Sequence, residues 1–159
     1  MKLLSEGVIE ALNYRIQQEE FSSRLYEQMA LWLNDRGLLN TSKLYSVYSQ
    51  EELKHAQWAK DFLLDYGITP TLKKLDAPVN EYGSLKDIFE ATLEHELEIT
   101  RQCNELATMA FKEGNHVLYS LASKYCAEQH EEVGKAVTNL DILSNSSDML
   151  IVDHYIGDL

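Results

Sequence analysis

The chain is poor in residues that break helices or cross-link loops. It has two prolines, seven glycines and two cysteines in 159 residues. Cys103 and Cys126 lie 23 positions apart and form no CxxC pair. That spacing gives no dithiol redox motif, and free buried thiols are expected, with a disulfide between the two as the alternative. Basic residues are also scarce, with 14 Lys+Arg against 26 Asp+Glu and a net charge of -12. Nucleic acid and anionic membranes both need a positive surface, so neither is expected as a partner. No apolar run approaches the roughly 20 residues of a membrane span. Glu6 and Glu10 interrupt the apolar opening stretch, so no secretory leader and a cytoplasmic location are expected. The hydrophobic fraction of 45% is that of a folded globular chain. A single domain over residues 1–159 is expected from the length.

Both prolines, Pro70 and Pro78, fall in one stretch bounded by Gly67 and Gly83. Clustered breakers leave long helices elsewhere. Helical periodicity runs from about Ser5 to Asn34, Leu39 to Tyr66, Ser84 to Glu113 and His116 to Leu143. Ser5 is placed as an N-cap, Ser84-Leu85-Lys86-Asp87 resembles a capping box, and Gly67 sits where a helix ends in the left-handed conformation. A short fifth helix is expected between Asp148 and Leu159. Short joints make the first and second helices antiparallel neighbours, and likewise the third and fourth. The middle connection, residues 67–83, has 17 residues and spans roughly 55 Å when extended at about 3.3 Å per residue. A 28-residue helix is roughly 42 Å long. The connection can therefore cross the whole molecule and leave the second and third helices parallel. The predicted fold class is all-α, a four-helix bundle with one long crossover and a small C-terminal helix.

Traced in steps of three and four, the inward seams are apolar except near their middles. The first reads Ile9, Leu12, Ile16, Glu19, Ser23, Tyr26, Ala30, Leu33. The second reads Tyr45, Tyr48, Glu52, His55, Ala59, Phe62, Tyr66. Glu96 is the ionisable exception on the third, and Gln129 and Glu132 are the polar exceptions on the fourth. A shift of about 100° in phase would turn Glu20 or Glu51 inward instead, but the phase is set by the apolar residues and not by the acids. Four mid-helix acids in register meet at one level of the interior. Such a cluster is very unfavourable unless something neutralises it. One histidine and one glutamine share the level, with no seam arginine or lysine beside them, so bound metal is the expected counter-charge. Oxygen ligands with one imidazole suit iron or manganese. Glu52 and His55 at i, i+3 share one helical face.

These motifs resemble the dinuclear iron site of the ferritin family, bacterial non-haem type, in order and over essentially the whole chain. Glu19 followed seven later by Tyr26, Gln50-Glu51-Glu52-Leu53-Lys54-His55, His95-Glu96 and Glu128-Gln129-His130-Glu131-Glu132 carry the likeness. The resemblance implies a ferritin-like bundle in which Glu19, Glu52 and His55 hold one iron and Glu96 and Glu132 complete the second, with Glu52 bridging. It implies that Gln129 hydrogen-bonds oxygen at the metals and that Tyr26 supplies an electron or a hydrogen bond. Glu51, Glu128 and Glu131 match a third iron site, or else form a solvated acidic patch. The implied function is ferroxidase and iron storage, with Fe(II) and O2 or H2O2 as reactants and a homo-oligomeric cage of 24 subunits. Leu53 stands where haem-binding relatives carry a methionine, so no haem is expected. Acids that line three-fold pores in many animal ferritins fall at Tyr119 and Ala122 here, which argues against an acidic access route of that kind. His130 is read as a surface or supporting residue. His95, His116 and His154 are read as solvated or core-edge, and Trp32 and Trp58 as packing groups. Two other readings are a substrate-oxidising diiron or manganese-iron oxidase on the same fold, and a metal-free bundle.

Overall fold

A computed structural model describes residues 3–159, and Met1 and Lys2, at the start of the expected domain, lie outside the described residues. The elements are α1 (Glu6–Asp35), α2 (Leu39–Asp65), α3 (Leu85–Lys112), α4 (His116–Ser144) and α5 (Met149–Gly157). Each predicted span lies within a residue or two of its helix. The reason is local: side chains at the starts of four helices take up otherwise unpaired backbone N–H groups. Ser5 Oγ accepts from Val8 N at 3.2 Å, Ser84 Oγ from Asp87 N at 3.1 Å and Asn115 Oδ1 from Leu118 N at 3.0 Å. Asp148 does the same for α5 through Leu150 N. At the end of α2, Gly67 has φ 72° and Ile68 N donates to Leu63 O. A residue with a Cβ would be strained at that left-handed position.

The start of α2 is different. Its preceding residue, Leu38, gives no side-chain cap. The cap comes from α5, where buried Asp153 accepts from Asn40 N at 3.2 Å, Thr41 N at 2.8 Å and Thr41 Oγ1 at 2.7 Å. A carboxylate near a helix N-terminus is favourable to both charge and hydrogen bonding. It also fixes α5 across the end of the bundle.

Cross-helix bonds give the topology. Ser42 Oγ reaches Ala30 O and Lys60 pairs with Glu20, so α1 and α2 are antiparallel. Gln129 reaches Glu96 while Cys126 lies by Asn104, so α3 and α4 are antiparallel. Tyr45 stacks on Phe89 near the starts of α2 and α3, so these two run parallel. The connection between them, residues 66–84, returns along α1. Asn13 accepts from Thr71 N, Gln17 donates to Lys74 O, and Tyr82 packs edge-on against Trp32.

Two apolar clusters fill the bundle. One gathers Val8, Leu12, Ile16, Ala59, Leu63, Ile99, Cys103, Leu118 and Tyr125 with their neighbours. The other gathers Tyr26, Met29, Leu33, Tyr45, Phe89, Leu143, Val152 and Ile156. Both cysteines are free, Cys103 buried and Cys126 half-buried. Between the two clusters lies a polar layer.

Candidate metal centre

Glu19, Glu52, His55, Glu96, Gln129 and Glu132 are all buried, and all lie in that layer. Their neighbours Glu20 and Glu51 are only partly covered, so the apolar phase picked the inward acid of each pair. Ligand atoms of Glu19, Glu52 and His55 lie within 4.8 Å of one another, and so do those of Glu52, Glu96 and Glu132. Glu52 belongs to both groups. His55 turns Nδ1 toward Glu52 at 3.4 Å and Glu19 at 3.8 Å, and Nε2 toward Glu128 at 3.5 Å. A carboxylate behind a metal-facing imidazole fixes its tautomer and orientation. Tyr125 OH donates to the His55 carbonyl, and the Trp58 ring lies 4.8 Å from the imidazole, so Trp58 packs directly on the centre.

Glu96 is held by two donors. Tyr26 OH donates to Oε1, and Gln129 Nε2 donates to Oε2 at 2.8 Å. Burial raises the Tyr26 hydroxyl well above its ordinary value, and the charges of Glu96 and Glu52 add to this, so it keeps its proton. Burial also raises the Glu52 carboxyl well above its ordinary value, with Glu19 beside it. Glu96 is raised by burial too, against the pull of the Tyr26 and Gln129 hydrogen bonds. Burial pushes Glu132 up to about 8, opposed by Lys135 and reinforced by Glu96, Glu51 and Glu128. Without cations, the layer holds protons where a solvated carboxylate would have lost them.

The chemistry of the donors fits a cation. Both oxygens of Glu19 are buried and accept no hydrogen bond. Unsatisfied buried carboxylate oxygens are costly, and hard cations with oxygen and imidazole ligands remove that cost.

Sequence reasoning found no basic residue beside the acids, and the structure corrects this. Arg15, only 2% exposed, stands one turn before Glu19 with Nε 3.1 Å from Oε1. Its Nη2 donates to Gln102 Oε1 at 2.9 Å. The pair lies at ion-pair distance without hydrogen-bond alignment. The i, i+4 spacing of Arg15 and Glu19 was the available signal, but such pairs are usually solvated. Lys135 was also missed. Its Nζ lies 3.4 Å from Glu132 Oε1 and 3.9 Å from Glu51 Oε2.

The three acids matched to a third site are not brought together as closely. Glu128 faces His55, Glu51 faces Lys135, and Glu131 is exposed. His95 is core-edge: burial lowers it to about 4, and its Nε2 pairs with Ser22 Oγ at 2.7 Å. His116, His130 and His154 are exposed, as is Tyr119, while Ala122 is buried.

The family model of the ferritin-like domain matches residues 9–144. The chain belongs to the ferritin family. It is 34% identical to a probable bacterial non-heme ferritin-like protein of Haemophilus influenzae, covering 99% of this chain and 98% of that protein. It is 34% identical to a bacterial non-heme ferritin of Escherichia coli over 89% of this chain and 86% of the relative. Among solved structures, an open pore ferritin from the hyperthermophilic archaeon Archaeoglobus fulgidus superposes with a TM-score of 0.94 at 33% identity, covering 99% of this chain and 98% of that one. This ferritin is all-helical, with the bundle, long crossover and short last helix that its periodicity predicts. None of its described helices is long and apolar enough to cross a membrane.

Proposed function

We propose that this ferritin, a single domain over residues 1–159, oxidises Fe(II) at a dinuclear site within its own bundle and stores the product as a mineral. The observation that carries the reading is the pair of three-ligand groups that share Glu52. Glu19, Glu52 and His55 hold one Fe(II), and Glu52, Glu96 and Glu132 hold the other. Each Fe(II) gives up one electron, with O2 or H2O2 as the acceptor. The acceptor is reduced to peroxide from O2, or to water from H2O2. Carboxylates favour the higher charge of Fe(III), and the protons they hold in the metal-free state are released as metal binds.

Glu128 orients His55, and Tyr26 and Gln129 orient Glu96. Tyr26 keeps its proton and lies against the ligands, where it serves as a donor of a hydrogen bond or an electron. Glu51, Glu128 and Glu131 hold a third iron at the rim. Storage needs an enclosed space, which one bundle lacks, and a cytoplasmic cage of 24 copies provides it. No haem is part of this reading. The other reading on this fold, a substrate oxidase, would need an organic substrate admitted beside the layer.

Aerobic addition of Fe(II) to the apoprotein tests the site. Glu52→Ala removes a ligand from both ions and should abolish the fast oxidation phase, and His55→Ala should do the same, with helical content unchanged. Fast oxidation in both variants would sink the assignment. A cage-sized particle loaded with iron supports storage, and a small oligomer that stays iron-poor would favour the oxidase.

A further inference from the structure

At the α4 rim of the layer a cation is already in place. Lys135 follows Glu132 by three residues, and its ammonium pairs with both Glu132 and Glu51. It stands 6.0 Å from the centre of the Tyr48 ring, which forms the adjoining wall. Glu51 Oε2 is buried and accepts no hydrogen bond, so its charge is answered through Lys135.

The two basic side chains on the layer differ in how freely they can leave. Arg15 is enclosed and anchored by Gln102, and moving it would strand Glu19. Lys135 is 43% exposed on a flexible four-carbon stem, and its head can swing into water at small cost. A divalent cation between Glu51, Glu128 and Glu131 would come close to this ammonium and be repelled by it.

We infer that Lys135 is a tethered counter-ion of the rim site: a third cation binds only by displacing it from Glu51, and its return speeds the release of that cation. The inference rests on the proposed third iron at the rim as well as on the dinuclear reading, and names what regulates that rim. Lys135 thereby makes the third site weak and transient while the two inner sites stay tight. A unit charge at such a distance in a half-exposed setting changes affinity on the order of tenfold.

Calorimetric titration of metal-free protein with Zn(II) reads this without redox chemistry. The wild type should bind two Zn(II) per subunit tightly and a third about tenfold or more weakly. Lys135→Met keeps the stem and removes the charge, and should tighten the third step by about tenfold. Lys135→Arg keeps the charge and should leave the third step within about threefold of wild type. A third step unmoved by Lys135→Met, or tightened equally by Lys135→Arg, would overturn the role of the lysine. A titration that ends at two Zn(II) in both wild type and Lys135→Met would overturn the rim site and the inference with it, whereas failure to bind the first two would overturn the dinuclear reading, so the failures are distinguishable.

Discussion

At the α1 end of the layer, Glu19 is fully buried and faces an arginine that is itself buried; at the α4 end, Glu132 is nearly as buried but faces a lysine with almost half its side chain in water. Both ends place carboxylates close to Glu52, which belongs to both groups of possible ligands. The first end is closed, with a permanent charge pinned between Gln102 and Glu19. The second is open, with a charge that can exchange for a cation from solution. On the proposed reading, the closed end would hold an ion in a rigid interior and the open end would admit cations at the rim. Fixed counter-charge preserves geometry, and displaceable counter-charge permits traffic.

The same substitution at both ends should affect them very differently. Arg15→Met leaves Glu19 without its partner in a dry interior and should lower the stability of the metal-free protein by about 3–5 kcal/mol. Lys135→Met breaks a partly solvated pair and should cost under about 1 kcal/mol. Urea unfolding of the two variants checks the difference, and equal losses would show that the ends are alike.

Removing one ligand from each end comes next in size. Glu19→Ala and Glu132→Ala should each cost one of the two tight Zn(II) per subunit, an affinity loss of at least about 100-fold, or about 2.7 kcal/mol. The other ion, still held through Glu52, should remain. Loss of both ions from either variant would mean that the two groups do not act separately.

The smallest effect concerns protons at the open end. Glu132 is raised from 4.5 to about 8 in the folded chain. Between those values the folded state holds a proton that the unfolded chain has released. The stability this group contributes is therefore complete below about pH 4.5 and is lost as pH rises toward 8, at most roughly 1 kcal/mol per pH unit. Metal-free protein should lose stability from pH 6 to 8, and Glu132→Gln should flatten that slope. A slope unchanged by Glu132→Gln would place the proton elsewhere in the layer.

Most of the fold was legible because its determinants are local. The apolar residues set each helix phase, Ser5, Ser84 and Asn115 stop fraying, and Gly67 ends α2 where only a left-handed residue fits. The inward acids were legible for the same reason, since Glu19 and Glu52 fall on a phase fixed by Ile16 and Tyr48. What escaped were groups whose role depends on distant partners. Arg15 resembles an ordinary surface pair until Gln102, 87 residues away, closes over it. Asp153 caps a helix more than a hundred residues earlier in the chain. Lys135 sits three positions beyond the five-residue motif, Glu128 to Glu132, that drew attention to α4, and its partner Glu51 lies across the bundle.

On the proposed function, the buried carboxylate layer is a two-ion centre built around Glu52. Anomalous diffraction from crystals of the protein soaked with Fe(II) under anaerobic conditions tests it most directly. Two iron peaks are expected inside each bundle, one among Glu19, Glu52 and His55 and one among Glu52, Glu96 and Glu132, with Glu52 touching both. Iron absent from the layer, or a single ion that leaves Glu52 uncoordinated, would contradict it.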